Sequence, residues 1–168
     1  MSIFQVRKLG FSLVEFVIVV VIIGTISAIA IPRISRAAKG ADASAVRANL
    51  HALRTAIDLY AAEHGGAWPG SDGLMGTLKK QLTDISAPDG RITGPKAGRT
   101  LGPYIRDIPR VAVGPNPDAL DIEMTTTTPI QSAVTESPMQ GWIYNYETGD
   151  IIANTDDLDD KGVGYDTY

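Results

Sequence analysis

Four aspartates fall within five positions near the end of the chain, Asp156, Asp157, Asp159 and Asp160 in "DDLDDKG". Carboxylates this crowded repel one another, and Lys161 alone does not neutralise them. A cation could gather them. Calcium suits such a loop because it accepts six to eight oxygens in flexible geometry, backbone carbonyls included. Gly162 and Gly164 would let the backbone turn close to the ion. The pattern is not an EF-hand: Asp157, Asp159 and Gly162 match its positions 1, 3 and 6, but Lys161 and Tyr168 stand at 5 and 12. A solvated acidic loop is the alternative. Elsewhere the constellations that carry catalysis are missing. The two histidines, His51 and His64, belong to a helical stretch and its end, where structural or capping roles are ordinary. "GPKAGRT" at 94–100 resembles a phosphate loop but is one residue short between its glycines, with Arg99 in place of lysine. "GSDG" at 70–73 reads as a turn, and no G-x-S-x-G occurs. With no cysteine in the chain, disulfides, thiolate metal sites and thiol nucleophiles are excluded. The sequence therefore predicts a protein that is not an enzyme.

A fifth carboxylate raises a different question. Glu15 stands near the start of "RKLGFSLVEFVIVVVIIGTISAIAIP", and from Phe16 to Ile31 no charged residue follows. As a helix, Phe11 to Pro32 would rise about 33 Å, which matches the ~30 Å hydrocarbon core of a bilayer. A charge inside that core costs roughly 2.5–3.5 kcal/mol on insertion scales, and less near the interface. A cleaved secretory signal peptide fits poorly, because the apolar run is long and no clean A-x-A site follows it. Arg7 and Lys8 before the span place residues 1–10 on the cytoplasmic side, although Arg33, Arg36 and Lys39 beyond it weaken the asymmetry.

Gly10-Phe11-Ser12-Leu13-Val14-Glu15, a short basic leader before it and an apolar run ending in Ile31-Pro32 together resemble the class III signal of type IV pilins and type II secretion pseudopilins. The glutamate is fifth and the proline twenty-second counting from Phe11, as in that family. The resemblance implies cleavage between Gly10 and Phe11 by a prepilin peptidase and methylation of the new Phe11 amine. It also implies a single-pass inner-membrane protein with a periplasmic or extracellular head. In an assembled homo-oligomeric filament, with other pilins or pseudopilins and an inner-membrane assembly platform as partners, Glu15 would pair with the Phe11 amine of a neighbouring subunit. Pro32 would serve assembly as well. Among the members, the chain is most similar to the major pseudopilin (protein G type) of type II secretion, and its lack of cysteine departs from the many pilins closed by a C-terminal disulfide. Major pseudopilins hold a calcium ion near the C-terminus, so the resemblance names calcium as the one candidate cofactor, at the aspartates above. The readings that compete are a surface type IV pilin and an uncleaved membrane-anchored binding or enzymatic domain.

The elements that must position these residues follow from periodicity. Val46, Leu50, Leu53, Ile57 and Tyr60 recur at helical spacing, while Arg47, Arg54, Asp58 and Glu63 point elsewhere, which predicts an amphipathic helix. It continues the apolar span, with Pro32 and Gly40 as places to bend and Gly65-Gly66 as its end. "HGGAWPGSDGLMGTLKKQL" predicts a loop and a short helical turn around Leu74 and Leu78, and 83–100 reads as loop. "GPYIRDIPRVAVGP" resembles the family's segment leading into its sheet. In "GWIYNYETGDIIANT", Trp142, Tyr144 and Tyr146 alternate with Ile143 and Asn145, and Glu147–Asp150 turns the chain back into Ile151–Ala153. Residues 115–138, with threonine runs and prolines, read as an irregular excursion.

The predicted organisation is thus a basic leader at 1–10, a transmembrane or filament-core helix at 11–32, its amphipathic continuation at 33–64, and a head at 65–168 ending in the acidic loop. The predicted fold class is α+β and type IV pilin-like, the long helix packed on a small antiparallel sheet. The hydrophobic share of 44% is enough for a core in such a head, and a net charge of −4 leaves no electrostatic footprint for nucleic acid.

Overall fold

The apolar-to-amphipathic pattern produces one helix. In the computed structural model, which describes residues 12–93, 98–115, 117–132 and 140–168, α1 runs Leu13–Glu63 through both Pro32 and Gly40. The chain divides into two units, Met1–Ala38 and Lys39–Tyr168.

In the second unit the stripe predicted from the sequence is the buried one: Val46, Leu50, Leu53, Ile57 and Tyr60 are each at most 2% exposed. α1 ends where its glycines permit. Gly65 and Gly66 have φ of 68° and 89°, and the Gly66 N–H donates to Ala61 O at 2.8 Å, closing a Schellman-type turn. After it comes α2, Met75–Thr83. Asp72 organises its start by accepting from the Leu74 N–H at 3.0 Å and the Thr77 hydroxyl at 2.7 Å. Leu78 and Leu82 from α2 join the α1 stripe in the core. Residues 84–93, 98–115 and 117–120 carry no strand, only a bridge between Ser86 and Leu101. They nevertheless supply Ile108, Val111 and Val113 to the core.

The sheet corrects two expectations. It has three strands, β1 (Asp121–Thr125), β2 (Gln140–Asn145) and β3 (Ile151–Ala153), in the order β1-β2-β3. The β2–β3 hairpin is antiparallel as predicted, with Trp142 opposite Ala153 and Tyr144 opposite Ile151. β1, however, lies within the stretch expected to be irregular and pairs with β2 in parallel, so the sheet is mixed and not antiparallel. The reason is connection length. Parallel neighbours need a crossover of a dozen residues or more, and 126–139 provides it.

The central strand also breaks the alternation expected of it, because β2 is buried on both faces. Trp142 and Tyr144 face the helices, where they donate to Pro109 O at 2.8 Å and Pro69 O at 3.0 Å. On the other face Asn145 is fully buried, and its amide donates to Thr127 O and Thr128 Oγ1 at 3.1 Å each. Its Oδ1 accepts the Glu147 and Thr148 N–H groups, which builds the hairpin turn from inside the strand. Gly149 completes that turn at φ 80°, with the Trp68 ring so close that a Cβ would stand 2.5 Å from it. Only glycine fits there.

Candidate functional site

Two places gather the chemistry that the sequence singles out. The first is the start of α1. Phe16 to Ile23 is an unbroken run of apolar residues, which at 3.6 residues per turn covers every face of the helix. None of it is buried: Val20, Ile22 and Ile23 are 51%, 51% and 58% exposed. With a mean hydropathy of 2.7 in its most apolar window, this helix is long and apolar enough to span a membrane. A helix that is apolar all round belongs inside a non-aqueous environment. Of the hydroxyls of Thr25 and Ser27 in this span, that of Thr25 donates to Ile22 O at 2.9 Å.

Glu15 lies in the first turn of this helix, exposed, and its Oε2 accepts the Ser12 N–H at 3.3 Å. Ser12 stands just before the helix, and its carbonyl takes the Phe16 N–H at 3.1 Å. This is one half of a capping box, in which the third helical residue reaches back to the residue that starts the helix. Ser12-Leu13-Val14-Glu15 spells that signature, so the sequence carries a local reason for Glu15. Gly10 and Phe11 lie outside the described residues, and Pro32 lies within the continuous helix.

The second place is the acidic loop, and it treats its four aspartates unequally. Asp156 and Asp160 are exposed. Asp157 is exposed too, but its Oδ2 accepts the Gly114 N–H at 2.9 Å. Asp159 alone is buried, its side chain 1% exposed. Its Oδ1 accepts the N–H groups of Lys161 and Val163 at 2.8 Å each. Its Oδ2 accepts the Tyr168 hydroxyl at 2.6 Å and faces Arg47 Nη2 at 3.5 Å. The Tyr168 hydroxyl, then the Val163 N–H, hold this carboxyl below the usual carboxylate range. Burial and the same hydrogen bond raise the Tyr168 phenol in turn.

One partner of Asp159, Arg47, comes from α1, and the sequence does not mark it. Arg47 and Arg54 read as a solvated face, yet both reach across the head. The Arg47 guanidinium sits 4.1 Å from the Tyr168 ring centroid. Arg54, two turns on, donates from Nη2 to the Tyr168 main-chain oxygen at 2.6 Å and to Ile151 O at 3.1 Å. Tyr165 meets Tyr168 edge to face, with centroids 5.5 Å apart. Among the described residues no group of three or more His, Cys, Asp or Glu side chains is placed to hold a metal ion.

The histidines separate as well. His51 is exposed. His64 is 8% exposed and stacks on Tyr60 at 3.8 Å. Its Nδ1 donates to Tyr60 O at 2.8 Å, since a carbonyl only accepts. Nε2 lies 3.0 Å from Ser86 Oγ, on a serine with no exposed surface, so the pair ties the end of α1 to the loop at 86–87. Burial, and secondarily Asp89, push the neighbouring Tyr60 phenol up to about 12. Burial raises Tyr104 and Tyr144 as well. All three phenols stay neutral at neutral pH, and two of them donate, Tyr104 to Glu63 and Tyr144 to Pro69 O. The chain matches no known protein-family model, no curated protein and no solved structure.

Proposed function

We propose that the chain is a structural subunit of a type II secretion pseudopilus or type IV pilus-like filament. In this reading a prepilin peptidase cuts after Gly10, the Phe11 amine is methylated, and assembled subunits drive protein secretion. The observation that carries it is the combination at one end of the chain. Gly10, Phe11, Glu15 and Pro32 stand in the family's register, and between Glu15 and Pro32 the helix is apolar on all faces and buries none of its large apolar side chains. A membrane satisfies such a helix before assembly, and identical helices satisfy it afterwards.

The same register gives Glu15 its role. Its capping contact is long, at 3.3 Å, and uses Oε2, so it is weak enough to give way to a neighbour's Phe11 amine. In the low-dielectric interior of a helix bundle such a pair is strong provided both charges are matched. The absence of cysteine favours the secretion pseudopilus over a disulfide-closed surface pilin.

The test is the N-terminus of the protein recovered from membranes. The expected product begins at Phe11 and carries one added methyl group, and Gly10→Val leaves the full-length chain uncut because the peptidase pocket admits little beyond glycine. A native chain beginning at Met1 would mean an uncleaved anchor and would remove the filament reading.

A further inference from the structure

The calcium ion that the family resemblance suggests does not fit the carboxylate best placed to bind it. Asp159 is the only buried member of the acidic cluster, and both its oxygens are taken. Two N–H groups at 2.8 Å occupy Oδ1, and a hydroxyl at 2.6 Å and a guanidinium at 3.5 Å occupy Oδ2. An ionised carboxylate offers about four lone-pair sites, and four donors point at this one. A calcium ion binds oxygen at about 2.3–2.6 Å. At Asp159 it would displace those donors and meet the Arg47 charge.

We infer that Arg47 is the counter-ion of the acidic loop, and that with Tyr168 it closes the loop on α1 without a divalent cation. This goes beyond the filament reading and does not depend on it. Tyr168 links the other two groups: its ring carries the Arg47 guanidinium at 4.1 Å and its hydroxyl donates to Asp159. A cation over an aromatic face is attracted by the ring quadrupole, so the ring holds Arg47 beside the carboxylate. Arg54 fixes the Tyr168 backbone from the same helix, and a bridge between Leu158 and Gly164 closes the loop across Asp159. The positive charge that a metal would bring is thus supplied by a side chain from the amphipathic half of α1. Folding of the head becomes independent of the calcium level around it.

The experiment is thermal unfolding of the full chain in detergent micelles, followed by tryptophan fluorescence, in millimolar calcium and in excess chelator. The wild-type midpoints are expected to coincide. A calcium site filled at a hundredfold excess over its dissociation constant would instead separate them by roughly 5–10 °C, which would overturn the inference. Arg47→Met keeps the aliphatic stem and removes the charge. It is expected to lower the midpoint equally in both conditions, and an unchanged midpoint in chelator would equally reject Arg47 as the counter-ion. If that variant does not fold, Tyr168→Phe removes only the hydroxyl. It should unfold earlier than wild type and remain indifferent to calcium; a calcium-dependent midpoint in Tyr168→Phe would count against the clasp. Processing at Gly10 is unaffected by any of these outcomes, so the inference and the filament reading fail separately.

Discussion

Residues 13–38 and 39–168 hold the same kinds of apolar side chain in opposite states. In the first stretch Val20 and Ile22 are each 51% exposed, while in the second Leu53 is fully buried and Ile57 is 1% exposed. All four of these side chains lie on one continuous helix, Leu13–Glu63, so helicity does not separate them. What separates them is the polar residue between the apolar ones. Arg47, Arg54 and Asp58 interrupt the second pattern and leave a stripe, and a stripe can be covered by α2 and the sheet. An uninterrupted run has no second face to give to water. One region is completed by its own chain and the other by whatever surrounds it. Fully burying one valine or isoleucine is worth about 1.5–3 kcal/mol, so this difference is large.

The strongest way to break the contrast is to change Glu15. If the exposed helix is completed by copies of itself, removing the charge that meets a neighbour's Phe11 amine leaves that amine buried and unpaired. Breaking a buried pair costs about 3–5 kcal/mol, at least a hundredfold in assembly. Glu15→Ala removes both the charge and the contact to Ser12, whereas Glu15→Gln keeps a side chain able to complete a capping box. Both variants should insert, show a wild-type unfolding midpoint in the head, and fail to pellet or crosslink as filaments. Normal assembly of the glutamine variant with loss in the alanine variant would assign Glu15 to capping alone.

The second effect runs the other way. Leu53→Ala should destabilise the head by about 2–5 kcal/mol through lost transfer energy and a cavity. Ile22→Ala should leave the head's midpoint where it was. Both tryptophans, Trp68 and Trp142, lie in the second unit, so denaturation followed by fluorescence reads that unit alone. A shift from Ile22→Ala as large as that from Leu53→Ala would show that the exposed run contributes to the head's fold.

Local order explains which parts of this structure are legible in the sequence. The stripe from Val46 to Tyr60, the stop at Gly65-Gly66 and the β2–β3 hairpin depend on neighbours a few positions apart, and all three stand. Strand β1 does not announce itself. "DIEMT" is short and charged, and its partner is a parallel strand reached only after 126–139, so nothing local marks the pairing. The burial of Asn145 is invisible for the same reason, because the residues covering it are Thr127 and Thr128. In the acidic loop four aspartates look alike, and only distant Arg47 and Tyr168 distinguish Asp159. The Ser12–Glu15 contact is the reverse case, a local signature overshadowed by the question of a charge in lipid.

The smallest expected effect sharpens the contrast by titration. Asp159 is a buried carboxylate whose folded value lies below its ordinary one, mainly through the Tyr168 hydroxyl. An unfolded aspartate titrates near about 3.9. The stability that the ionised form contributes is therefore complete above about pH 4, and it is lost as pH falls through the lower folded value. Asp89 titrates in the same direction, held down first by the Arg91 N–H, so acid sensitivity of the wild type alone does not identify the clasp. Asp159→Asn isolates it. The variant should be less stable than wild type at pH 7, and its midpoint should fall less steeply below pH 4, since the amide has no proton to gain. Tyr168 supplies the complementary limb. Its raised folded value means that the phenol's contribution is present below the ordinary tyrosine value of about 10 and disappears as pH rises through the folded one. Tyr168→Phe should flatten that alkaline limb and, by removing the hydroxyl that holds Asp159 down, part of the acid limb too. Melting curves of the three proteins between about pH 2 and pH 11 make the comparison. Parallel acid limbs in wild type and Asp159→Asn would mean that the clasp leaves the stability of the head untouched.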